Sequence, residues 1–319
     1  MSRYRKALPQ LTGGLFLTDG GLETTLIFHD GLELPYFAAF DLLRRPEGRD
    51  TLWSYYARYA EIARAKGLGF ILESATWRAS SDWGELLGYS AEELAEANRQ
   101  AVALLHDLRL AFETAESPMV VSGCIGPRGD AYDPKHKMTS VEAEAYHGRQ
   151  IAVFAESGAD MVTAITMNYA EEAIGVARAA AAAGLPPVIS FTVETDGRLP
   201  TGQTLKDAIE WVDGATRAAP AYYMINCAHP DHFAGALTGR EAWLQRLRGL
   251  RANASRLSHA ELDQAEELDV GDPRELGQLH GELRRRFGQI NVFGGCCGTD
   301  HRHVAAITEA VTGTAQAVA

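Results

Sequence analysis

The chain predicts an α/β fold, a single (β/α)8 TIM barrel spanning residues 1–319, and three observations carry that prediction. Eight short apolar runs alternate with amphipathic helical stretches along the whole length. The runs are continuously apolar, as expected of parallel strands buried on both faces. No linker rich in Pro, Gly or Ser divides the 319 residues, and barrels of ~250 residues or more are ordinary as one unit. A doubly wound open sheet is the competing architecture. It usually carries Gly-x-Gly-x-x-Gly after an early strand, and none follows the first run here.

The elements follow in order. Run 15–18 ends at the turn Asp19-Gly20-Gly21, and helix 53–65 repeats apolar residues at three- and four-residue spacing. Run 69–73 closes on Glu73 and leads to helix 91–114, with Ser90 as its cap. Run 119–123 precedes helix 141–157, with Ser140 as the expected cap. Run 161–166 feeds an alanine-rich helix, 170–183, stopped by Gly184. Run 187–192 is followed by an irregular stretch, 196–203, expected to be a long loop of the kind on which barrels carry function, and then by helix 204–218. Run 222–226 leads to Cys227 and a helix over 240–247. Run 247–252 precedes helix 273–287, where Pro273 suits a first turn after Asp272 as cap. Run 290–294 reaches Cys296 and Cys297 before the last helix, 301–311.

Composition narrows the function. Thirty Lys and Arg against 42 Asp and Glu leave a net charge of −12, which disfavours binding to phosphate backbones or anionic lipid. No run approaches the ~20 apolar residues a membrane span needs, and the basic N-terminus leads into no signal-like apolar stretch. A cytoplasmic protein acting on small molecules, with no nucleic-acid or membrane partner, is expected. Helix 170–183 either contributes to a homo-oligomer interface or lies buried against the barrel.

Four cysteines are too sparse for a disulfide framework, and their placement is the stronger signal. Cys227 follows the sixth run, and Cys296 with Cys297 follows the eighth, where barrels carry their chemistry. Strands two apart around the ring bring their ends over one side of the mouth. Adjacent cysteines on a regular strand face opposite ways, so both can meet one ion only if the backbone leaves strand geometry. Gly294, Gly295 and Gly298 supply that freedom. Three thiolates with one open position is the layout of a catalytic zinc site. The alternatives are a core role for Cys227 and a vicinal disulfide between Cys296 and Cys297. Cys124, past the third run, reads as a packing residue. His229, His301 and His303 lie near enough in sequence to be weighed as a fourth ligand, which would close the site.

These residues resemble the homocysteine S-methyltransferase family, which includes betaine– and S-methylmethionine–homocysteine methyltransferases. Asp19-Gly20-Gly21 is similar to the family's first-strand turn and Asn226-Cys227 to its Asn-Cys motif. Gly294-Gly295-Cys296-Cys297-Gly298-Thr299 matches its most diagnostic signature. The resemblance covers nearly the whole chain. It implies a zinc ion (Zn2+) held by Cys227, Cys296 and Cys297, which thereby serve the catalytic step, with the sulfur of homocysteine at the fourth position. A small-molecule donor then gives its methyl group to that thiol, forming methionine or a thioether. The resemblance further implies substrate contacts from Asp19, Gly20 and Gly21, a place near the substrate for Thr76, and an orienting role for Asn226. Trp77 either faces a cationic donor through its ring or packs.

One departure concerns the acceptor. Many family members carry a glutamate at the end of strand four that holds the acceptor's amino group, and Ile165 stands in its place. Glu73 or Asn168 would have to compensate, or the acceptor is another thiol. A zinc- or thiol-binding barrel without turnover and a water-using zinc lyase or hydrolase are the readings from other classes. The latter calls for a general base, and no His-Glu zinc motif is present.

Overall fold

Eight parallel strands close on themselves in strict chain order. The computed structural model describes residues 2–265 and 267–313. The strands are β1 (Phe16–Leu17), β2 (Gly69–Glu73), β3 (Met119–Ile125), β4 (Met161–Met167), β5 (Pro187–Phe191), β6 (Tyr222–Asn226), β7 (Leu247–Ala252) and β8 (Val292–Gly295). β8 pairs with β1 through Val292 opposite Phe16 and so seals the ring. The predicted (β/α)8 barrel is the fold, with strand positions as expected and ends shifted by a residue or two.

Most helices form where the periodicity placed them. Pro46–Ala65 starts earlier than predicted because Pro46 occupies its first turn, where a missing N–H costs nothing. Ser90 caps Ala91–Phe112 and Asp272 caps Pro273–Arg286, as expected. Ser140–Glu156 is capped by Thr139, not Ser140: the Thr139 hydroxyl accepts the Glu142 N–H while the Glu142 carboxylate accepts the Thr139 N–H. The predicted helix 240–247 is instead a short 3-10 turn, Ala242–Arg246. Gly239, at φ +80°, breaks the chain just before it, and too few residues remain ahead of β7 to nucleate an α-helix. A one-turn helix, Pro230–Phe233, and a capped short helix, His259–Asp263, fill loops after β6 and β7.

The barrel interior is layered along its axis. Phe16, Ile71, Val120, Met161, Val188 and Val292 pack as an apolar plug at the N-terminal end. Two residues further along each strand the same inward face carries Glu73, Ser122, Thr163 and Ser190. Ser122 and Thr163 share a hydrogen bond of 2.8 Å, and Ser190 donates to Asn226 at 2.6 Å. An apolar floor therefore supports a polar bowl at the end where the cysteines lie. Outside, the alanine face of Ala170–Ala182 is buried within the chain itself, with Gly175 set so close to Ala143 that a side chain there would collide.

Candidate active site

Cys227, Cys296 and Cys297 converge at the barrel mouth, their Sγ atoms all within 4.8 Å of one another. Cys227 leaves β6 at φ +53° and donates its N–H to the Arg251 carbonyl at 3.1 Å. β8 ends at Gly295, and Cys296 opens a turn in which its carbonyl accepts the Thr299 N–H and hydroxyl. Gly298, at φ +77°, completes that turn. The backbone thus leaves strand geometry where the sequence required it, and the adjacent cysteines reach one side. A Cβ on Gly294 would strike Thr18, and one on Gly295 would strike Thr299, so this end of β8 abuts β1 without room for side chains.

Cys227 Sγ and Cys296 Sγ lie in direct contact, and Cys297 Sγ stands free beside them. The vicinal disulfide expected as an alternative, between neighbours 296 and 297, is not formed. Asn226 sits beneath the cluster. Its Oδ1 accepts from the Thr166 N–H at 2.9 Å, and its Nδ2 donates to Thr166 Oγ1 at 2.9 Å and approaches Cys296 Sγ at 4.0 Å. Thr166, like Cys227, holds a left-handed φ, +66°, a conformation uncommon outside glycine. Asn226 ties both strained residues together.

Asp19 is buried at the end of β1. Its Oδ1 accepts from Arg251 Nη2 at 2.6 Å and its Oδ2 from the Tyr55 hydroxyl at 3.1 Å. Gly20 and Gly21 follow in tight contact with the β8 turn, where a Cβ on Gly20 would lie 2.9 Å from the Thr299 carbonyl. The Gly21 N–H donates to that same carbonyl at 3.0 Å. The turn therefore welds β1 to the cysteine loop.

A cavity of about 890 Å³ opens above this assembly and takes in all three cysteines, Asp19, Gly20 and Gly21. Thr76 and Asn226 do not line it. The Thr76 hydroxyl turns inward, donating to the Cys124 carbonyl at 2.7 Å, so it braces the β2–β3 junction. Cys124 is buried, as a packing residue would be, yet it borders the cavity. Trp77 also borders it, with its indole N–H donating to the Ile165 carbonyl at 3.3 Å. The Arg78 guanidinium lies over the Trp77 and Trp83 rings, 4.0 Å from each centroid. Ile165 faces the cavity, and Asn168 does not: its amide is committed to the Asp130 and Ala131 carbonyls. Glu73 lies at the cavity floor, where burial pushes its carboxyl up to about 7 against the opposing charge of Arg251. Burial likewise pushes Glu23, near Asp19, up to about 7.

None of the three weighed histidines joins the sulfurs among the described residues. His229 caps the helix Pro230–Phe233, and burial holds its imidazole down to about 4. His303 bonds Asp300 and the Val270 carbonyl, and His301 is exposed. A different histidine reaches the cluster. His259 bridges the Cys227 carbonyl, 2.5 Å away, and Glu194, 3.1 Å away, with its ring stacked on Tyr132 at 4.0 Å. The expected functional loop, 196–203, stays off the cavity, and only Glu194 just before it takes part. Arg251, Tyr132 and His259 escape a reading of the sequence. Arg251 alone leaves a trace there: a charge inside the apolar run LRGLRA, which must find a partner once buried.

Comparisons with known proteins agree with this geometry. The sequence profile of the homocysteine S-methyltransferase family matches residues 16–311. A selenocysteine Se-methyltransferase from Brassica oleracea var. italica is 24% identical over 252 residues, covering 72% of this chain and 70% of its own. Homocysteine S-methyltransferase 2 from Arabidopsis thaliana is 22% identical over 321 positions, covering 93% and 92%. The oxidized form of the Escherichia coli homocysteine methyltransferase MmuM superposes with a TM-score of 0.70 at 18% identity, covering 96% of this chain and 99% of that one. Its metallated form gives 0.68 at 18% identity, covering 95% and 98%. The chain is a methyltransferase enzyme that belongs to the homocysteine S-methyltransferase family.

Proposed function

We propose that this protein is a zinc-dependent S-methyltransferase that moves a methyl group from a small-molecule onium donor to homocysteine or a related thiol. The observation that carries the reading is the convergence of Cys227, Cys296 and Cys297 on the wall of a cavity large enough for both substrates. Their chemistry fits zinc. A tetrahedral ion with Zn–S bonds near 2.3 Å sets its sulfurs about 3.8 Å apart, within the spread seen here. Zinc takes cysteines as thiolates, so metal loading and oxidation of the cluster to a disulfide exclude one another. When bound, zinc supplies the positive charge that keeps an acceptor sulfur deprotonated at neutral pH.

The chain's own residues do the rest. The acceptor releases its thiol proton to solvent on binding, and its sulfur lone pair forms the new S–CH3 bond as the donor's bond to that methyl breaks. The donor leaves as a neutral sulfide or amine carrying the electron pair. Such an in-line displacement needs alignment more than acid–base help. Asn226 and Thr166 fix the cysteine loop from below, and His259 holds it through the Cys227 carbonyl. Tyr36, Phe37 and Trp77 give the cavity an aromatic wall suited to a cationic donor. Ile165 supports a second reading, in which the acceptor is a thiol other than homocysteine.

The test is metal content and turnover together. Reduced wild-type protein is expected to retain one zinc per chain, and Cys297→Ser to lose most of it. Methyl transfer to homocysteine is then assayed from S-methylmethionine, betaine and S-adenosylmethionine. Unchanged zinc content in Cys297→Ser would remove the metal assignment. Zinc-loaded protein inert with every donor and thiol would remove the reaction.

A further inference from the structure

Arg78, on the loop after β2, places a half-buried guanidinium in the cavity wall without a counter-charge. Among the described residues its Nη1 donates to the Gly129 carbonyl at 2.8 Å, and it enters no ion pair. Its Nε is sealed from solvent and has no partner. Asp130 and Glu23 act on it across space, and Oδ1 of Asp130 already accepts the Tyr132 and Asp133 N–H groups. Burial pulls the guanidinium down to about 10, the direction expected of a cation taken out of water. Buried charges are ordinarily paired, so a lone guanidinium on a substrate cavity points to an anionic group on the ligand.

The same side chain restricts the aromatic wall. Its guanidinium lies over both Trp77 and Trp83, the latter on the helix Ser81–Leu86, and so takes ring faces that would otherwise hold an onium. Tyr36 and Phe37 remain open on the rim, with the Tyr36 ring 5.9 Å from that of Trp83. An onium resting on Tyr36 therefore sits one ring away from a fixed positive charge, which opposes a bare cation and favours one that carries its own anion. The hydrogen bond to Gly129 ties Arg78 to the loop of Tyr132, whose side chain reaches Cys297. A ligand held by Arg78 is thus on the path to the sulfurs.

We propose that Arg78 is the specificity-determining residue for the methyl donor: it binds the carboxylate of a zwitterionic onium and turns away onium cations that carry none. The inference rests on the methyltransferase reading above and narrows its donor class.

Three pairs of compounds, each differing only by a carboxylate, test this by calorimetric titration into full-length, zinc-loaded protein with no thiol acceptor present. They are glycine betaine with tetramethylammonium, dimethylsulfoniopropionate with ethyldimethylsulfonium, and S-methylmethionine with (3-aminopropyl)dimethylsulfonium. In the pair that binds most tightly, the carboxylate member is expected to lead by at least tenfold in wild type. Arg78→Gln is expected to weaken that member by roughly ten- to a hundredfold, the worth of a charge-assisted hydrogen bond. It should also tighten the bare cation severalfold, because the ring faces of Trp77 and Trp83 become free. A purely structural role for Arg78 would weaken both members together. Arg78→Lys keeps the charge and is expected to keep the preference for the carboxylate. The proposal is overturned if the members of the tightest pair bind within threefold of each other in wild type, or if no carboxylate member binds at millimolar concentration. It is equally overturned if Arg78→Gln weakens both members alike, or if Arg78→Lys loses the preference as fully as Arg78→Gln. Methyl transfer is scored separately, so protein that selects by charge yet methylates no thiol refutes the reaction and not the role of Arg78.

Discussion

Burial makes Glu73 a liability to the fold. Its carboxyl is pushed up to about 7 from 4.5, with Arg251 opposing and Asp19 and Cys124 as its other titratable neighbours. The native state therefore holds this proton more tightly than the unfolded chain does, and the group's penalty is absent below about pH 4.5 and grows as pH rises toward 7. Glu73→Gln is expected to stabilise the protein by on the order of 3 kcal/mol at pH 8 and hardly at all at pH 4. Urea denaturation at the two pH values measures the difference. Equal gains at both would mean that packing, not charge, is responsible.

At the scale of elements, the helix Ser140–Glu156 separates two neighbouring hydroxyls by role. Thr139 makes the capping box, whereas the Ser140 hydroxyl only accepts a bond from Arg178 at 3.2 Å. Thr139→Ala is expected to cost about 1 kcal/mol, and Ser140→Ala less than about 0.5 kcal/mol. Thermal denaturation of the two variants checks this, and the reverse order would restore Ser140 as the cap. The sequence displays Ser and Thr side by side before an apolar repeat, and Glu142 three residues after Thr139 is the signal that separates them. The turn after β8 was legible for a similar reason, since glycines flanking Cys296 and Cys297 announce a backbone that needs their freedom. The segment before β7 was not, because helical periodicity in a short stretch cannot reveal that the chain lacks room for a nucleus.

Across the whole molecule, the N-terminal segment closes the end of the barrel opposite the site. Leu8 packs into the apolar plug, and Asp160 gathers the segment onto the base. Its carboxylate accepts from the Arg3 and Tyr4 N–H groups at 2.6 and 2.8 Å, from Val121 N–H at 3.0 Å and from Arg109 at 2.7 Å. Asp160→Ala would leave the Arg109 guanidinium buried without its counter-charge, at a cost of about 3–5 kcal/mol. Denaturant titration checks the loss, and a change under about 1 kcal/mol would show that Arg109 finds another acceptor. The expected effect on the cysteine cluster is none, because the apolar plug lies between.

The sequence by itself determined the barrel and the meeting of three cysteines at its mouth. Both follow from local information: apolar runs at strand length, helical repeats between them, and cysteines just past the ends of the sixth and eighth runs. Only the tertiary structure decided what those cysteines sit among. It turned Thr76 inward, chose Glu73 over Asn168 for the cavity, brought His259 to Cys227 in place of the nearer histidines, and paired Arg251 with Asp19 across 232 residues. Periodicity records which face of an element is buried. Which buried polar groups meet depends on strand register and on closure of the ring, and neither is written in any one segment.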